Sequence, residues 1–566
     1  MKIESITLKN GEILKLGNLT LLVGPNNVGK SQTLKDINAK LVHGHGFKTK
    51  FITDITVNKP DNFDGLFEGL IVKDNPSNQS NQIINGIMSF DSTSQNNQIG
   101  FDYKNHKRLF EQDPIKDFTF LKLSKYRVYY MDSESKLNIT KRTPAINPKD
   151  FPKNLMHQLF SIEQSVRDKL NEAFQKAFDM DIFLDYSEMT HLRFIVDQAF
   201  NDLPEDPRKL IDIIGNLPSL EEQGDGYRSF AATVLTLLLS EDKVLLIDEP
   251  EAFLHPEQAR ILGAWIAENY SIFKSQILIT THSASFLKGL LSFETSLDIY
   301  RLNRVHEETT FNLLTAKNIQ KLSNSPLLSS QNVLEAIFSS GTIVCEADTD
   351  RVIYNSVSTK ILDQHKFLFI HAHNKQTVKD VVSLLKDIKI PVAGIVDIDI
   401  INSSTNLIAI MESFSIPDNK IKKMTLLCNK ICTYINEFSD KELLEQIKND
   451  VEELLNQLKN SEHSFSGAKS ALSRIEDNAK KWKKVKQLGI EGLDCSDIKS
   501  NANEIINICK EHGLYILPVG ELESWINIEV KKNKWVLPAL ERICNKDTST
   551  KKIENFINEI LEFLEE

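Results

Sequence analysis

The sequence is short of the features that mark several large protein classes. No stretch approaches the roughly 20 consecutive apolar residues that cross a bilayer, so no membrane role is expected. The opening MKIESITLKN lacks the apolar centre of a secretory signal, and a cytoplasmic location is the expectation. The six cysteines (345, 428, 432, 495, 509 and 544) form no CxxC pair and no zinc spacing, which fits reduced thiols. Positive charge is also in deficit: a net charge of −11 excludes a uniformly basic nucleic-acid coat and leaves room only for a local basic groove. What remains is an ordinary globular mix, 41% apolar and 26% charged, over 566 residues, enough for about three or four structural units.

Along the chain, residues 2–8 and 19–23 read as strands, the second running into a glycine turn, and 33–41 turns helical. Between 47 and 130, short apolar runs alternate with Asn/Gln/Ser clusters (PSNQSNQ, STSQNNQ), the pattern of an antiparallel sheet with solvated hairpin loops. From 154 to about 215 apolar residues recur at helical spacing, with Phe160, Val166, Leu170, Phe174 and Phe178 as a buried stripe. The runs KVLLID and QILITT flank a helix, which is the βαβ arithmetic of a parallel sheet. A Ser/Asn/Pro-rich stretch at 323–331 reads as a linker. Beyond it strands are expected at 342–345, 367–371, 391–396 and 514–519. A charged helical insertion over about 405–510 separates the last two, with Leu443, Ile447, Val451, Leu454 and Leu458 spaced by threes and fours.

The sequence GPNNVGKS, Gly24 to Ser31, has P-loop spacing between a strand and a helix. Its glycines, Gly24 and Gly29, with Asn26 and Asn27 between them, let backbone N–H groups curl around phosphate oxygens at a helix N-terminus. Lys30 would reach the β/γ-phosphates of ATP, and the Ser31 hydroxyl would hold Mg²⁺. In LLIDEPEAFLHP a buried strand ends on Asp248, suited to Mg²⁺, and Glu249, suited to orienting an attacking water. The bland alternative for this acidic pair is a helix start. His282, in TTHSASFL, ends the strand expected beside Asp248, within reach of a γ-phosphate. Gly224 and Gly226 open another helix and form a second phosphate cradle, which one chain needs only if it acts on a partner's nucleotide.

Taken along the chain, the P-loop, the glycine-rich helix start, LLIDEPEAFLHP and ITTHS resemble the ABC-type ATPases of the SMC and OLD group, over roughly residues 1–320. The resemblance implies head-to-head dimers that sandwich ATP between one P-loop and the other subunit's signature helix. Two departures stand out. The usual Ser-Gly-Gly-Gln is Gly-Asp-Gly-Tyr (224–227), and the family's active-site glutamine has no evident counterpart.

A second set of acids follows apolar strands. Glu346 and Asp350 in CEADTD are placed on one face of a helix start by their i, i+4 spacing. Asp397 and Asp399 in VDIDI are expected at the end of another buried strand, on the same side because the strand period is two, and Glu521 and Glu523 in GELESW follow a third strand, again two apart. Each pair alone reads as a cap or solvated turn. Six carboxylates at neighbouring strand ends would instead repel one another unless cations intervened, and hard oxygen ligands select Mg²⁺ or Mn²⁺. Two such ions suit phosphodiester cleavage. The arrangement resembles a Toprim domain, in particular that of the OLD-family nucleases, in which Toprim follows an ABC ATPase in one chain. Here the glycine usual after the first glutamate is Ala347, and the Ser or Asp usual before the last is Glu521. The resemblance also implies a downstream lysine that stabilises transition-state charge, for which Lys551 and Lys552, with Lys546 behind them, are the candidates; a solvated cluster at a helix start is the alternative. The stretch KKWKKVK (480–486) combines charge and an aromatic as nucleic-acid contact requires, although a solvated helix face explains it at least as simply.

The expected fold is α/β: an ABC-type P-loop ATPase domain over 1–325, with a β-rich insertion at 47–130 and a helical one at 154–215, then a Toprim α/β domain over 338–566. The expected activity is ATP-regulated, metal-dependent cleavage of DNA, RNA being an open alternative, with a homodimer as the minimum assembly. A sensor or scaffold ATPase carrying an inert Toprim is the competing reading. Family resemblance adds anti-phage defence, with abortive infection and a second defence protein as its extensions.

Overall fold

The computed structural model describes the chain except residues 45–46, 59–61, 69, 76–80, 88–97, 113–117, 148, 201, 294–295, 306–307, 316–317, 319–332, 373–374, 460–464, 479–481, 529, 531–533 and 566. It divides into two compact units, Met1–Ser323 and Asn324–Glu566. The linker expected at 323–331 lies outside the described residues, as do most of the polar clusters near 76–82 and 92–98.

In the first unit, β3 (Leu19–Val23), β12 (Val244–Asp248) and β13 (Gln276–Thr280) are apolar runs buried along nearly their whole length. Strands covered on both faces have that character. They form the centre of a sheet that, among the described residues, has the order β15-β14-β3-β13-β12-β8. Its flanks are β8 (Val128–Met131) and the hairpin β14 (Asp298–Val305) and β15 (Glu308–Leu314); only that hairpin is antiparallel. Asp248 pairs with Thr280, and Thr280 with Leu22, so three strands end level with one another. A small antiparallel sheet, order β2-β1-β4, is built from β1 (Lys2–Leu8), β2 (Ile13–Lys15) and β4 (Ile52–Asn58). Its Ile3, Ile6 and Leu14 share a core with Leu34, Ile37 and Leu41 of the helix Lys30–His43 and with Leu246 and Leu278. The buried amide of Gln276 sews the two sheets together: it accepts from the Ile3 N–H at 2.7 Å and donates to the Ile3 carbonyl at 2.8 Å.

Two expected insertions are more mixed than the sequence pattern implies. In 47–130, β4 belongs to the small sheet, and β5 (Ile71–Asp74), β6 (Gln82–Asn85) and β7 (Gln98–Phe101) are antiparallel; helices Tyr103–Gln112 and Phe118–Arg127 follow. The region 154–215 is not continuously helical. Helices Leu155–Ser161, Gln164–Phe178 and Pro207–Ile214 are interrupted by the hairpin β10 (Asp181–Asp185) and β11 (His191–Asp197), paired at its far edge with β9 (Thr143–Pro144). Asp179 takes a left-handed φ of 56° and ends the helix, after which the apolar runs DIFLD and HLRFIVD pair as antiparallel strands. Of the expected stripe, Val166, Leu170, Phe174 and Phe178 belong to the helix before that stop and Phe160 to the shorter helix Leu155–Ser161; Leu170 and Phe174 are buried, and Phe160, Val166 and Phe178 half-buried.

The second unit has a parallel sheet of order β17-β16-β18-β19, from β16 (Gly341–Cys345), β17 (Phe367–His371), β18 (Val392–Val396) and β19 (Leu514–Ile516). The first strand is internal, so the chain turns opposite ways from β16 and a crevice opens at the carboxyl ends of β16 and β18. Helices Ser404–Ser413, Asp418–Lys459, Phe465–Asn478, Lys483–Leu488 and Ser496–Lys510 fill the connection from β18 to β19. In the long one, Leu454 is buried, whereas Val451 and Leu458 are exposed. The final helix, Lys551–Glu565, places Ile553, Ile557, Ile560, Leu561 and Leu564 on one face and buries them against the sheet.

A half-buried cation in the first unit yields a test. The Lys243 ammonium donates to the Tyr126 carbonyl at 2.9 Å and lies 4.3 Å from the centre of the Tyr129 ring. Burial, then the neighbouring Arg127, push its pKa down to about 7 against the opposing pull of Asp242. The folded value lies below the unfolded one, so the penalty for burying this charge is complete below about pH 7 and fades as pH rises towards the ordinary lysine pKa, roughly 10.4. Lys243→Met should therefore stabilise the protein most at or below neutral pH. Denaturation midpoints across pH should show that gain shrinking towards pH 10.

Candidate functional site

The first cluster forms where β3, β12 and β13 end. A side chain at Gly24 (φ 138°) would collide with the Leu302 carbonyl oxygen, and one at Gly29 (φ 104°) would lie 2.5 Å from the Phe51 ring. Glycine is what lets the loop close. Asn27 is also left-handed, and its carbonyl accepts from Arg304 at 3.4 Å; Asn26 is its neighbour in the loop. The Lys30 ammonium turns back onto the Gly24 and Pro25 carbonyls, 2.8 Å each. Burial lowers its pKa, and Glu249, Glu251 and Asp248 resist that.

Asp248 is tightly held. Its Oδ1 accepts from the Ser31 hydroxyl at 2.8 Å and from the Thr280 hydroxyl at 2.5 Å, and its Oδ2 from the Tyr130 hydroxyl at 3.3 Å. Glu249 has a left-handed φ of 49°, and its N–H donates to the Thr280 carbonyl at 3.0 Å. Its carboxylate lies 3.1 Å from Nδ1 of His282. That hydrogen bond lowers the Glu249 pKa and raises that of His282.

Two further side chains complete the group. Lys136, fully buried in the helix Ser133–Ile139, donates to the Asp248 carbonyl at 2.8 Å and to that of Glu249. Burial brings its pKa down to about 8 in spite of the nearby charges of Glu251, Asp248, Glu249 and Asp132. Glu251, 5% exposed, accepts from the Thr281 hydroxyl at 2.6 Å and from the His282 N–H at 3.1 Å; burial raises its pKa. Gly224 and Gly226 stand at the start of the helix Asp225–Leu239, whose described contacts lead elsewhere. Tyr227 stacks on Phe178 at 4.3 Å, and Arg228 donates to the Leu137 carbonyl at 2.7 Å.

The second cluster lies at the crevice in the other sheet. Glu346 follows β16, and its Oε1 accepts from the N–H of Asp397, which follows β18, at 2.9 Å. Asp397 is pushed up to about 8, first by burial and then by Glu346, Asp350 and Asp399; Lys486 opposes them. Lys486 reaches Asp399 at 3.4 Å. Burial works against its charge, but Asp399, Asp397 and Glu521 outweigh that and raise its pKa.

The geometry differs from the sequence expectation at each acidic pair. The helix after Glu346 begins only at Asp348, so Glu346 and Asp350 share no helical face; Asp350 caps that helix by accepting from the Ala347 N–H at 3.1 Å. β18 stops at Val396, which leaves Asp399 in the 3-10 turn Ile398–Asn402 and not on a strand face. β19 stops at Ile516, and Glu521 and Glu523 belong to the turn Leu522–Trp525 and its cap. Among the described residues no three acids, histidines or cysteines are gathered closely enough to grip an ion as they stand. The reason is local: Glu346 faces a backbone N–H, Asp350 caps a helix and Asp399 faces a lysine. The donor set nevertheless fits a hard divalent cation, because Asp397 is crowded by three other carboxylates. Lys551 pairs with Glu554 at 2.8 Å, and among the described residues neither it nor Lys552, also exposed, contacts these acids.

Comparison with known proteins gives two family matches. A model described as "AAA domain, putative AbiEii toxin, Type IV TA system" matches residues 19–288. One described as "Overcoming lysogenization defect protein-like, TOPRIM domain" matches 337–399. The chain is an OLD-family ATPase–Toprim fusion. No curated protein matches it. Similar solved structures include an SMC head bound to the C-terminal winged-helix domain of ScpA (11% identity, 57% of this chain and all of that one, TM-score 0.34). Others are the SMC head domain from Thermotoga maritima (15%, 56% and all, 0.27) and an SMC head with extended coiled coil from Pyrococcus furiosus (14%, 56% and 98%, 0.29). The family assignment rests on the two models and not on these likenesses.

In this OLD-family chain the ATPase match spans the P-loop, Asp248, Glu249 and His282, and the Toprim match spans Glu346, Asp350, Asp397 and Asp399. Glu521, Glu523, Lys551 and Lys552 lie beyond both. Sequence reasoning passed over Tyr130, Lys136, Thr280 and Glu251. Only Glu251 carried a signal, a third acid within DEPE. Lys486 was visible within a basic run but without its target.

Glu251→Ala removes the acceptor of the Thr281 hydroxyl and the His282 N–H together. ATP turnover is expected to fall about ten- to a hundredfold with nucleotide affinity little changed, since one to two buried hydrogen bonds are lost from the segment that carries His282. Steady-state hydrolysis beside a nucleotide titration checks this.

Proposed function

We propose that this OLD-family chain is an ATP-hydrolysing, divalent-metal-dependent nuclease that cuts DNA by two-metal hydrolysis. The observation that carries the reading is the contact of Glu346 with Asp397 across the β16/β18 crevice, with Asp350, Asp399 and Glu521 around it. Glu346, Asp397 and Asp399 would hold Mg²⁺ or Mn²⁺, with Asp350, Glu521 and Glu523 at the edge of the site. Bound there, such ions lower the pKa of a water and neutralise charge on the cleaved phosphate. The chain's own part is to set these carboxylates at a switch point, where a phosphodiester can approach the open end of the sheet.

In the ATPase domain, Ser31 and Asp248 are already in hydrogen-bond contact and would share the nucleotide's ion. Lys30 would exchange its two carbonyl partners for phosphate oxygens. Glu249, oriented by His282, would position the attacking water. A homodimer in which Gly224 and Gly226 of one copy face the nucleotide of the other is part of the proposal. The solvent-exposed start of the helix Asp225–Leu239 supports it. The proposed setting is anti-phage defence, with a second defence protein as a further component.

The test is plasmid cleavage by purified protein with Mg²⁺ or Mn²⁺, with and without ATP. Wild type should convert supercoiled DNA to nicked or linear forms, and Asp397→Ala should not. Lys30→Ala should abolish ATP hydrolysis and report how ATP governs cutting. Cleavage by Asp397→Ala at the wild-type rate would overturn the assignment of the nuclease site.

A further inference from the structure

Two of the cysteines stand apart from the rest. Cys428 and Cys432 lie one turn from each other on the helix Asp418–Lys459, and both sulfurs reach the same main-chain oxygen. The Cys428 thiol donates to the Ile401 carbonyl at 3.0 Å. The Cys432 thiol lies 3.4 Å from that carbonyl and 3.5 Å from the carbonyl of Asn402. Ile401 and Cys428 are buried, whereas Cys432 is half-buried and within reach of solvent. The two carbonyls close the turn Ile398–Asn402, which carries Asp399. The long helix thus holds that turn through a pair of S–H donors.

Positions i and i+4 of a helix have Cα atoms about 6 Å apart, inside the range that a disulfide spans. The two thiols also differ as such chemistry requires. The S–H of Cys428 can serve either the Ile401 carbonyl or the Cys432 sulfur, and its hydrogen bond to the sulfur holds Cys432 below the ordinary thiol range. The accessible sulfur is therefore the readier nucleophile. By contrast, burial pushes Cys509 up to about 12 and leaves that thiol inert.

We propose that Cys428 and Cys432 form a site of reversible oxidation, which hydrogen peroxide converts to a disulfide within the helix. The Cys432 thiolate attacks one peroxide oxygen, the O–O bond breaks and hydroxide leaves, so that Cys432 becomes a sulfenic acid. The Cys428 sulfur then attacks the Cys432 sulfur, the S–O bond breaks, and the hydroxyl departs as water with the Cys428 proton. Two thiols are oxidised to one disulfide, and one peroxide is reduced to two waters. Neither sulfur then has a hydrogen to donate, and the carbonyls of Ile401 and Asn402 lose both donors. The turn that carries Asp399 is loosened in consequence. Its effect on cleavage rests on the nuclease reading above.

Three full-length proteins would be treated with hydrogen peroxide, quenched with catalase and blocked with iodoacetamide. They are wild type, Cys432→Ser, which keeps a donor for the carbonyls but cannot form the bridge, and the control Cys544→Ser, which removes an exposed thiol elsewhere. Trypsin cuts after Lys430, between the two cysteines, so the disulfide is read as joined peptides 424–430 and 431–441. The joined pair is expected in wild type and Cys544→Ser, released by dithiothreitol, and absent from Cys432→Ser. On oxidation, amide hydrogen exchange over residues 397–403 should quicken about tenfold in wild type, with Mg²⁺-dependent cleavage falling by a similar factor, and neither should change in Cys432→Ser. No joined peptides at a peroxide dose that oxidises Cys544 would overturn the proposal. Unchanged exchange and cleavage in protein that carries the disulfide would overturn its coupling to the turn. If reduced wild type cleaves nothing, the nuclease reading fails, and the joined peptides and exchange rates alone decide the role of the thiol pair.

Discussion

Like charges gathered at the carboxyl ends of buried parallel strands must each find a donor, and much of this structure follows from how they do so. In the ATPase domain the donors are plentiful. Asp248 takes three hydroxyls, Glu249 faces a histidine, Glu251 takes a hydroxyl and an N–H, and Lys30 and Lys136 add two buried positive charges. Acid and base are close to balanced before any nucleotide arrives. In the Toprim unit the balance is lopsided: Glu346, Asp350 and Asp399 all act on Asp397, and Lys486 is the cation that opposes them. A group of carboxylates so weakly compensated is one for which a cation is the natural complement.

The way each acid is mounted also differs. Asp248 is the last residue of a strand and is fixed by the sheet. Asp399 and Glu521 ride on short turns whose apolar residues are sunk into the core: Ile398 and Ile400 are each 1% exposed, and Leu522 is 5% exposed. Apolar anchors alternate there with acids, so the turn is held while the carboxylate keeps its rotamers. That arrangement lets Asp399 turn to a lysine and Glu346 to a backbone N–H in place of a shared ion. The P-loop follows the same logic, Lys30 resting on two carbonyls of its own loop.

Much of this was legible in the sequence because it depends on local pattern. The apolar runs before Asp248, Glu346 and Asp397 are strands buried on both faces, and GPNNVGKS falls between a strand and a helix. What escaped was what local pattern cannot carry. The stop at Asp179, which turns an expected helical region into a hairpin, is a single left-handed residue after a strong helical stripe. The strands before Asp399 and Glu521 end early because their following residues are drawn into 3-10 turns, a tertiary preference that period-two alternation does not reveal. Lys136 lies 112 residues before the carbonyl it binds, and Lys486 lies 87 residues after its aspartate; no spacing rule joins such pairs.

The position of the insertion gives these observations a common cause. It leaves the sheet directly after the Asp397–Asp399 turn and returns as β19, whose exit carries Glu521. Both ends of the insertion are thereby tied to the acidic crevice, and any helix lying against the β19 exit is within reach of it. The Gly489–Gly520 contact brings the helix Lys483–Leu488 to that place by main chain alone. A lysine there needs no partner in the insertion itself, and its charge is directed at the sheet. The insertion is therefore a wall of the acidic site as well as a connection between two strands. It supplies the one sign of charge that the strand ends lack.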